Sequence, residues 1–518
     1  MMKKNNLSAN ILVVLASLAL LFLLFLRFRL AVARYFDIDE FAYLHWSYNL
    51  SLGERPYRDF LFLLPPSFLY FLQPLFIFLG RSVQVLIAAR LMIFIVFILM
   101  CLMLVFIGKS LRNLKTGIFS AVIFAFLPIP YDKMLEIRPD LPAVLFALFG
   151  LYLFMLTVEK HVKRWSFISG FALSLSLTFI PKTVFFLLPA IFAMWFMGYR
   201  AAAKDELRQV WQTIIFPFIA GFFIPAVVTF LIVASYGDLR MAFYSMTRLA
   251  SDIHRTLGSK FYMLPNLFFY PNDTYYGLAG TNNLPYILNL VVYITASLWA
   301  IKSFFSARNL RELLFAAVFF INLLAFVKFY PLKHAQYLIA LAPFIAFYFA
   351  DIILTIFSLL FRVKKSSRAL SLNFSFASAG RIFAEAINFV LIITVLLLII
   401  FADYQMYEKK KQWNNRVVIE KIIRTLKTVP AEERVFDLTG GSIFYRHGYY
   451  FCCLSYGQYE EVLRFPVPDL KRVFEDNKTK YVYTDFFDRL DVLPFLQARY
   501  IKENFTPYFP DGSLLIKK

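Results

Sequence analysis

The chain has 518 residues, 60% of them hydrophobic and 19% aromatic, and only 17% are charged. A soluble domain is about half apolar and a quarter charged, so this composition points away from a water-borne globule and towards membrane residence. The formal net charge of +21 invites a nucleic-acid reading, but the basic residues sit in short clusters between apolar runs, with no basic helix or base-reading motif. The distribution argues against a nucleic-acid partner and follows the positive-inside pattern.

Taken in order, Lys3 and Lys4 precede an apolar run over 11–26, and Arg27, Arg29 and Arg34 follow it. A signal peptide would carry small cleavage-site residues there, so a retained first span with a cytoplasmic N-terminus is predicted. Further spans are predicted near 83–107, 117–130, 140–158, 166–181, 183–198, 212–235, 285–301, 313–330, 335–361 and 383–402. With the first this makes about eleven. Lys and Arg then alternate in density. One side takes Lys109, Arg112 and Lys115, then Lys160, Lys163 and Arg164, then Arg200, Lys204 and Arg208, then Lys302, Arg308 and Arg311, and last Arg362, Lys364, Lys365, Arg368 and Arg381. The short connections opposite hold only Lys133 with Arg138, and Lys333. An odd number of spans with an external C-terminus follows, in a multi-pass plasma (inner) membrane protein.

That orientation places four segments outside: 36–60, the loop YDKMLEIRPD, the long loop Tyr236–Leu284, and the tail after Asp403. The tail alternates short β-rich runs (434–440, 480–487) with amphipathic stretches (469–476, 489–500), which predicts a small α/β domain of about 100 residues. The predicted division is a membrane domain over 1–405, with 31–82 as its first external loop and juxtamembrane helices, and an extracytoplasmic domain over 406–518. Gly440–Gly441 reads as a plain turn. Cys452 and Cys453 are neighbours, too constrained for an ordinary disulfide and without metal-site spacing.

The densest polar stretch is FDIDEFAYLHWSYNLSLGERPYRDF, 36–60. Asp37 and Glu40 form a capping-box pattern. Phe41, Leu44, Tyr48 and Leu52 recur at spacings of three and four, and Gly53 with Pro56 marks the stop. A helix over 38–52 lying on the membrane surface is predicted, its aromatic residues at headgroup depth. Capping accounts for Asp37 and Glu40 but not for Asp39, which is free for chemistry. In Glu136-Ile-Arg-Pro-Asp140, Asp140 reads as another N-cap, whereas Arg138 suits paired hydrogen bonds to a phosphate. Lys182 is either a lysine snorkelling to the interface or a phosphate contact. His334, in YPLKHAQYL, is either an interfacial aromatic or, with Lys333, Gln336 and Tyr337, a further donor on the same face. Carboxylates and cations gathered at the mouths of one side fit sugar transfer from a lipid phosphate. One carboxylate takes the acceptor's proton, while cations, or a divalent metal held by the carboxylates, steady the departing phosphate.

The Asp-Glu pair after the first span, the aromatic helix, G-x-x-P-Y-x-D-F and LLPPSFLY resemble the first external loop of GT-C glycosyltransferases. The likeness is to the branch of protein O-mannosyltransferases and lipid A aminoarabinose transferases. The R-P-D of Arg138 to Asp140, Lys182 before a span, and K-x-x-Q-Y-L from Lys333 resemble later motifs, with Gln336 where the family often has Arg. The resemblance implies a polytopic α-helical GT-C fold and an inverting transferase using a polyprenyl-phosphate sugar, acting on a protein, lipid or glycan acceptor. It implies Asp39 as general base or metal ligand, with Glu40 beside it as a second metal ligand and Glu40 and Asp140 assisting. Arg138, Lys182, His334 and Tyr337 are the expected phosphate contacts. The rival is a transporter or lipid-glycan flippase, which would place ionisable residues near span midpoints and in matched halves.

Overall fold

In the computed structural model, residues 7–202, 206–249, 251–252, 283–330, 334–360, 374–453, 462–485, 490–491 and 493–518 are described. The predicted contributions of Lys204, Lys333, Arg362, Lys364, Lys365 and Arg368, and most of the loop 236–284, lie outside them. Helices, which satisfy their own backbone hydrogen bonds, dominate the described residues up to 410, some long enough to cross a bilayer and others shorter. These are α1 (Leu7–Ala33), α2 (Ile38–Ser51), α3 (Ser67–Leu79), α4 (Gln84–Leu111), α5 (Leu114–Phe126), α6 (Asp140–Lys160), α7 (Lys163–Phe179) and α8 (Val184–Ala202). They continue with α9 (Leu207–Ser235), α10 (Asn283–Phe305), α11 (Leu310–Leu324), α12 (Ala342–Leu360) and α13 (Phe374–Lys410).

Eight helices among the described residues are long and apolar enough to cross a membrane. The runs predicted near 117–130 and 166–181 form the shorter α5 and α7, of 13 and 17 residues. All of α5 from Thr116 onwards is buried, and it packs against α1, α4 and α12. Its apolar character therefore reflects enclosure by other helices. The run predicted from 335 opens with a 3-10 turn over Ala335–Ala340 before α12 begins. Where α7 crosses α9, Gly170 and Gly221 let the backbones touch. A Cβ there would stand 2.1 Å from the Phe218 carbonyl oxygen or 2.0 Å from that of Phe167, the small-residue contact typical of membrane helices.

The tail folds around a five-stranded mixed sheet of order β2-β1-β3-β5-β4, with β1 Arg434–Asp437, β2 Arg446–His447, β3 Tyr481–Tyr483, β4 Phe505–Pro507 and β5 Leu514–Lys517. β1 runs parallel to both β2 and β3, and β5 is antiparallel to β3 and β4. Helix α14 (Arg416–Thr428) follows α13 almost directly, and α15 (Leu470–Asp476) and α16 (Phe495–Asn504) complete the layer. Because α13 runs unbroken through 405 to Lys410, bundle and tail are joined by a helix that spans the predicted boundary.

Two local expectations change. Helix α2 does not lie on a surface: Glu40 to Leu50 are all buried, because the tail covers its outer face. Gly440, expected in a plain turn, is the docking point. With φ at +78° it rests on α2 so closely that a Cβ would stand 2.8 Å from the Ala42 backbone nitrogen. Asp437, buried at the end of β1, shapes that loop by accepting from the backbone N–H groups of Thr439, Gly440 and Ser442 at 2.8, 2.8 and 2.6 Å. On the same side of α2, His45 bonds the Ile443 carbonyl and Asn49 donates to that of Tyr445. Cys452 and Cys453 are disulfide-bonded to each other, in a tight turn where Cys453 takes a left-handed φ of +67°. This bond runs against the sequence expectation that the neighbouring pair is too constrained for an ordinary disulfide.

Candidate active site

The first turn of α2 is built by its cap. Asp37 accepts from the Asp39 N–H at 2.9 Å, and Glu40 accepts from the Asp37 N–H at 2.8 Å. The two ends of this box point Asp39 and Glu40 in different directions. Glu40 turns inward, fully buried, where Arg90 of α4 donates to its two oxygens at 2.8 and 2.6 Å and the Ile137 N–H adds a bond at 3.1 Å. Burial alone would raise the Glu40 carboxyl, but Arg90 outweighs it and holds the group below the usual carboxylate range. Arg90 also lies 3.7 Å from the Phe36 ring centroid and donates to the Arg34 carbonyl. Asp39 turns outward with its side chain 48% exposed.

The loop 131–138 is fastened over this turn by charge. Arg34 pairs with Glu136 at 3.0 Å, Lys133 with Glu136 at 2.9 Å and with Asp37 at 3.2 Å, and Lys410 of α13 reaches Asp132. Burial pushes the Glu136 carboxyl up in spite of Lys133. So clamped, the loop delivers Arg138 onto Asp39, and its Nη1 donates to that carboxylate. The same guanidinium lies 3.4 Å from Asp140, the first residue of α6. Burial disfavours the charge of Arg138, but Asp39, Asp140 and Glu136 overcome this and hold it protonated.

Asp140 opens onto a small cavity shared with Lys182, Thr183, Tyr330, Gln336 and Tyr337. Lys182 stands over the Tyr337 ring, 3.4 Å from its centroid, a cation–π contact that fixes the ammonium at the rim. The His334 ring lies edge-on to Tyr337 at 5.7 Å. Burial, with Arg138, Lys182 and Lys133 nearby, takes its imidazole down to about 4, so it is neutral near pH 7. The charges thus collect at one mouth of the bundle. At the other, Arg112 meets Glu312 and Asp351, and Arg311 meets Glu159.

Of the residues singled out from sequence, Asp39, Arg138 and Asp140 form one contiguous group, and Asp140, Lys182 and Tyr337 line one cavity, with His334 beside it. Glu40 stands apart. With both oxygens committed to Arg90 and to backbone N–H groups, it does not form a ligand pair with Asp39, and Arg138 occupies the space between Asp39 and Asp140. The arrangement does not fit a divalent ion held by Asp39 and Glu40. Sequence reasoning missed Tyr43, a buried phenol whose proton is held by burial and which feels Arg138, Asp39, Asp140 and Tyr337. Its place four residues after Asp39, one turn along the same face, was the available signal. It also missed Arg90, which carries no local signal because its partner lies 50 residues away.

Residues 64–236 match the family model of dolichyl-phosphate-mannose-protein mannosyltransferases. No curated protein matches the chain. Among solved structures, ArnT from Cupriavidus metallidurans bound to undecaprenyl phosphate is similar with a TM-score of 0.58 at 12% identity, over 98% of this chain and 97% of that one. The apo oligosaccharyltransferase of Archaeoglobus fulgidus is similar at 0.55 and 12%, over 94% of this chain and 71% of that one. The same organism's AglB, in complex with an inhibitory peptide and a dolichol-phosphate, is similar at 0.51 and 12%, over 97% and 74%. The chain has the fold of these solved structures, and about a third of it, residues 64–236, matches the mannosyltransferase family model.

Proposed function

We propose that this protein is an inverting glycosyltransferase that moves a sugar from a polyprenyl-phosphate donor to an acceptor hydroxyl on the extracytoplasmic side of the membrane. The observation that carries the reading is the half-exposed Asp39 carboxylate, held by Arg138 and set beside a mouth lined by Asp140, Lys182 and Tyr337. Asp39 takes the proton of the acceptor hydroxyl as its oxygen attacks the anomeric carbon. The bond from that carbon to the phosphate oxygen breaks on the opposite face, so configuration inverts. Negative charge then grows on the lipid phosphate, where Arg138 and Lys182 are placed to receive it and neutral His334 and Tyr337 can add hydrogen bonds. Asp140 keeps the guanidinium oriented, and Glu40, through Arg90, is a positioning residue for the turn that carries Asp39.

The lipid tail needs an apolar berth. A mostly apolar groove of about 420 Å³ runs past Leu177, Phe222, Phe230, Phe243 and Met246. The relatives solved with undecaprenyl phosphate and dolichol-phosphate support a donor of this class. The test is Asp39→Asn in membranes supplied with a polyprenyl-phosphate sugar. Transfer is expected to fall by about 10²- to 10⁴-fold with the melting temperature unchanged, and full transfer by the variant would refute Asp39 as the base.

A further inference from the structure

At the other end of α2, roughly 20 Å from Asp39 by helix rise, a second cavity of about 500 Å³ opens between the first external loop and the tail. Its charge is arranged in an unusual way. Arg434 and Arg446 are direct cross-strand partners on β1 and β2, and like charges placed opposite each other destabilise a sheet. They share one carboxylate oxygen, Oε1 of Glu54, at 3.3 and 3.8 Å. Arg58 lines the same cavity, paired with Asp59. One buried carboxylate therefore serves two guanidinium groups, and the Arg446 side chain is 42% exposed.

The floor has the opposite need. His447 is 3% exposed, and among the described residues its Nε2 has no hydrogen-bond partner, nor has Oε2 of Glu54, 3.9 Å away. The hydrogen-bond chain behind His447 fixes what that nitrogen is. The Ile443 carbonyl can only accept, so His45 Nδ1 carries the proton in its bond of 2.8 Å. In neutral His45 the Nε2 is then an acceptor, so His447 Nδ1 donates to it across 3.1 Å, which leaves His447 Nε2 as a bare lone pair. Burial keeps both rings neutral. Among the described residues the His447 Nε2 lone pair and Glu54 Oε2 thus lie 3.9 Å apart without a hydrogen bond to either, an arrangement that costs free energy until a ligand hydroxyl engages them. Tyr450 and Asn477 complete the wall.

We propose that this cavity binds a saccharide bearing an oxyanion, a sugar phosphate or a uronic acid, with Arg446, Arg434 and Arg58 on the anion and His447 Nε2 and Glu54 Oε2 on ring hydroxyls. Its size suits one or two sugar rings. Its distance from Asp39 makes it a remote subsite that holds part of an extended acceptor, binding energy that helps to orient the distant reacting hydroxyl. The assignment to the acceptor rests on the transferase reading above, whereas the binding itself does not.

The experiment is titration calorimetry on the full chain in detergent, with glucose 1-phosphate, glucuronate and uncharged glucose as probes. Saturable binding of the two anionic sugars is expected, with glucose much weaker. Arg446→Gln should weaken it about tenfold, the size of one charge-assisted hydrogen bond, and Arg58→Gln should weaken it less. Absence of saturable binding, or equal affinity in wild type and Arg446→Gln, would overturn the proposal. So would binding of phosphatidylglycerol nanodiscs that glucose 1-phosphate does not displace, since the ligand would then be a lipid headgroup. Because binding is read without turnover, an inactive wild type that still binds the anionic sugars would sink the transferase reading and leave the site standing.

Discussion

Replacing Glu40 by Gln tests whether this residue positions the site or takes part in the chemistry. The side chain is fully buried, accepts two bonds from Arg90, and takes the Asp37 and Ile137 N–H groups as well. Gln keeps the shape but offers one acceptor oxygen where there were two, and it turns an NH₂ towards a guanidinium or an N–H. Arg90 is then left with a buried charge and no counter-ion, and removing one partner of a buried pair costs roughly 3–5 kcal/mol. The expected outcome is a large fall in melting temperature of the purified protein, with donor binding and transfer falling together because the turn carrying Asp39 loosens. The double variant Glu40→Gln with Arg90→Met, which removes the orphaned charge, should recover much of the stability. The pH dependence has a definite sign. The folded Glu40 carboxyl lies below its unfolded value, so its contribution is present above about pH 4.5 and is lost as pH falls through the folded value. A Glu40→Gln protein that melts like wild type yet transfers no sugar would refute the positioning role and return Glu40 to the chemistry.

Three further outcomes follow from the geometry. Gly440→Val places a branched side chain at φ +78° against the Ala42 backbone. It should cost about 1–3 kcal/mol and loosen the tail from α2, read as faster proteolytic cleavage after Lys410 together with reduced transfer. Because the His334 imidazole is taken down to about 4, it stays neutral through the physiological range. His334→Gln should lower activity without moving the acid limb of the pH–rate profile between about pH 5.5 and 7.5, and a limb near pH 6.5 that disappears in this variant would contradict the assignment. With Arg138 seated between Asp39 and Asp140, EDTA should leave transfer unchanged. Loss of activity that Mn²⁺ restores would show that the guanidinium yields its place to an ion.

The bundle and the C-terminal sheet were partly legible because they depend on short-range rules. Apolar run length marked most of the membrane helices. The Asp37–Glu40 box and the three-four spacing of Phe41, Leu44 and Tyr48 gave α2, and the β-rich runs around 434 and 481 gave β1 and β3. Strand β2 was not legible, being two residues long and formed only because β1 offers an edge to pair with.

The chain's own order thus determined that it is a polytopic membrane protein, that Asp39 escapes the cap that occupies its neighbours, and that cations and carboxylates share one side. Which of those groups meet was decided by tertiary structure. Asp39 meets Arg138 across 99 residues, Arg90 claims Glu40 across 50, and Gly440 docks on α2 across some 400. Such pairings depend on which helices stand next to each other and how the tail folds back over them. A capping box or an apolar period is written within one turn of chain, whereas a charge leaves no local mark of its partner.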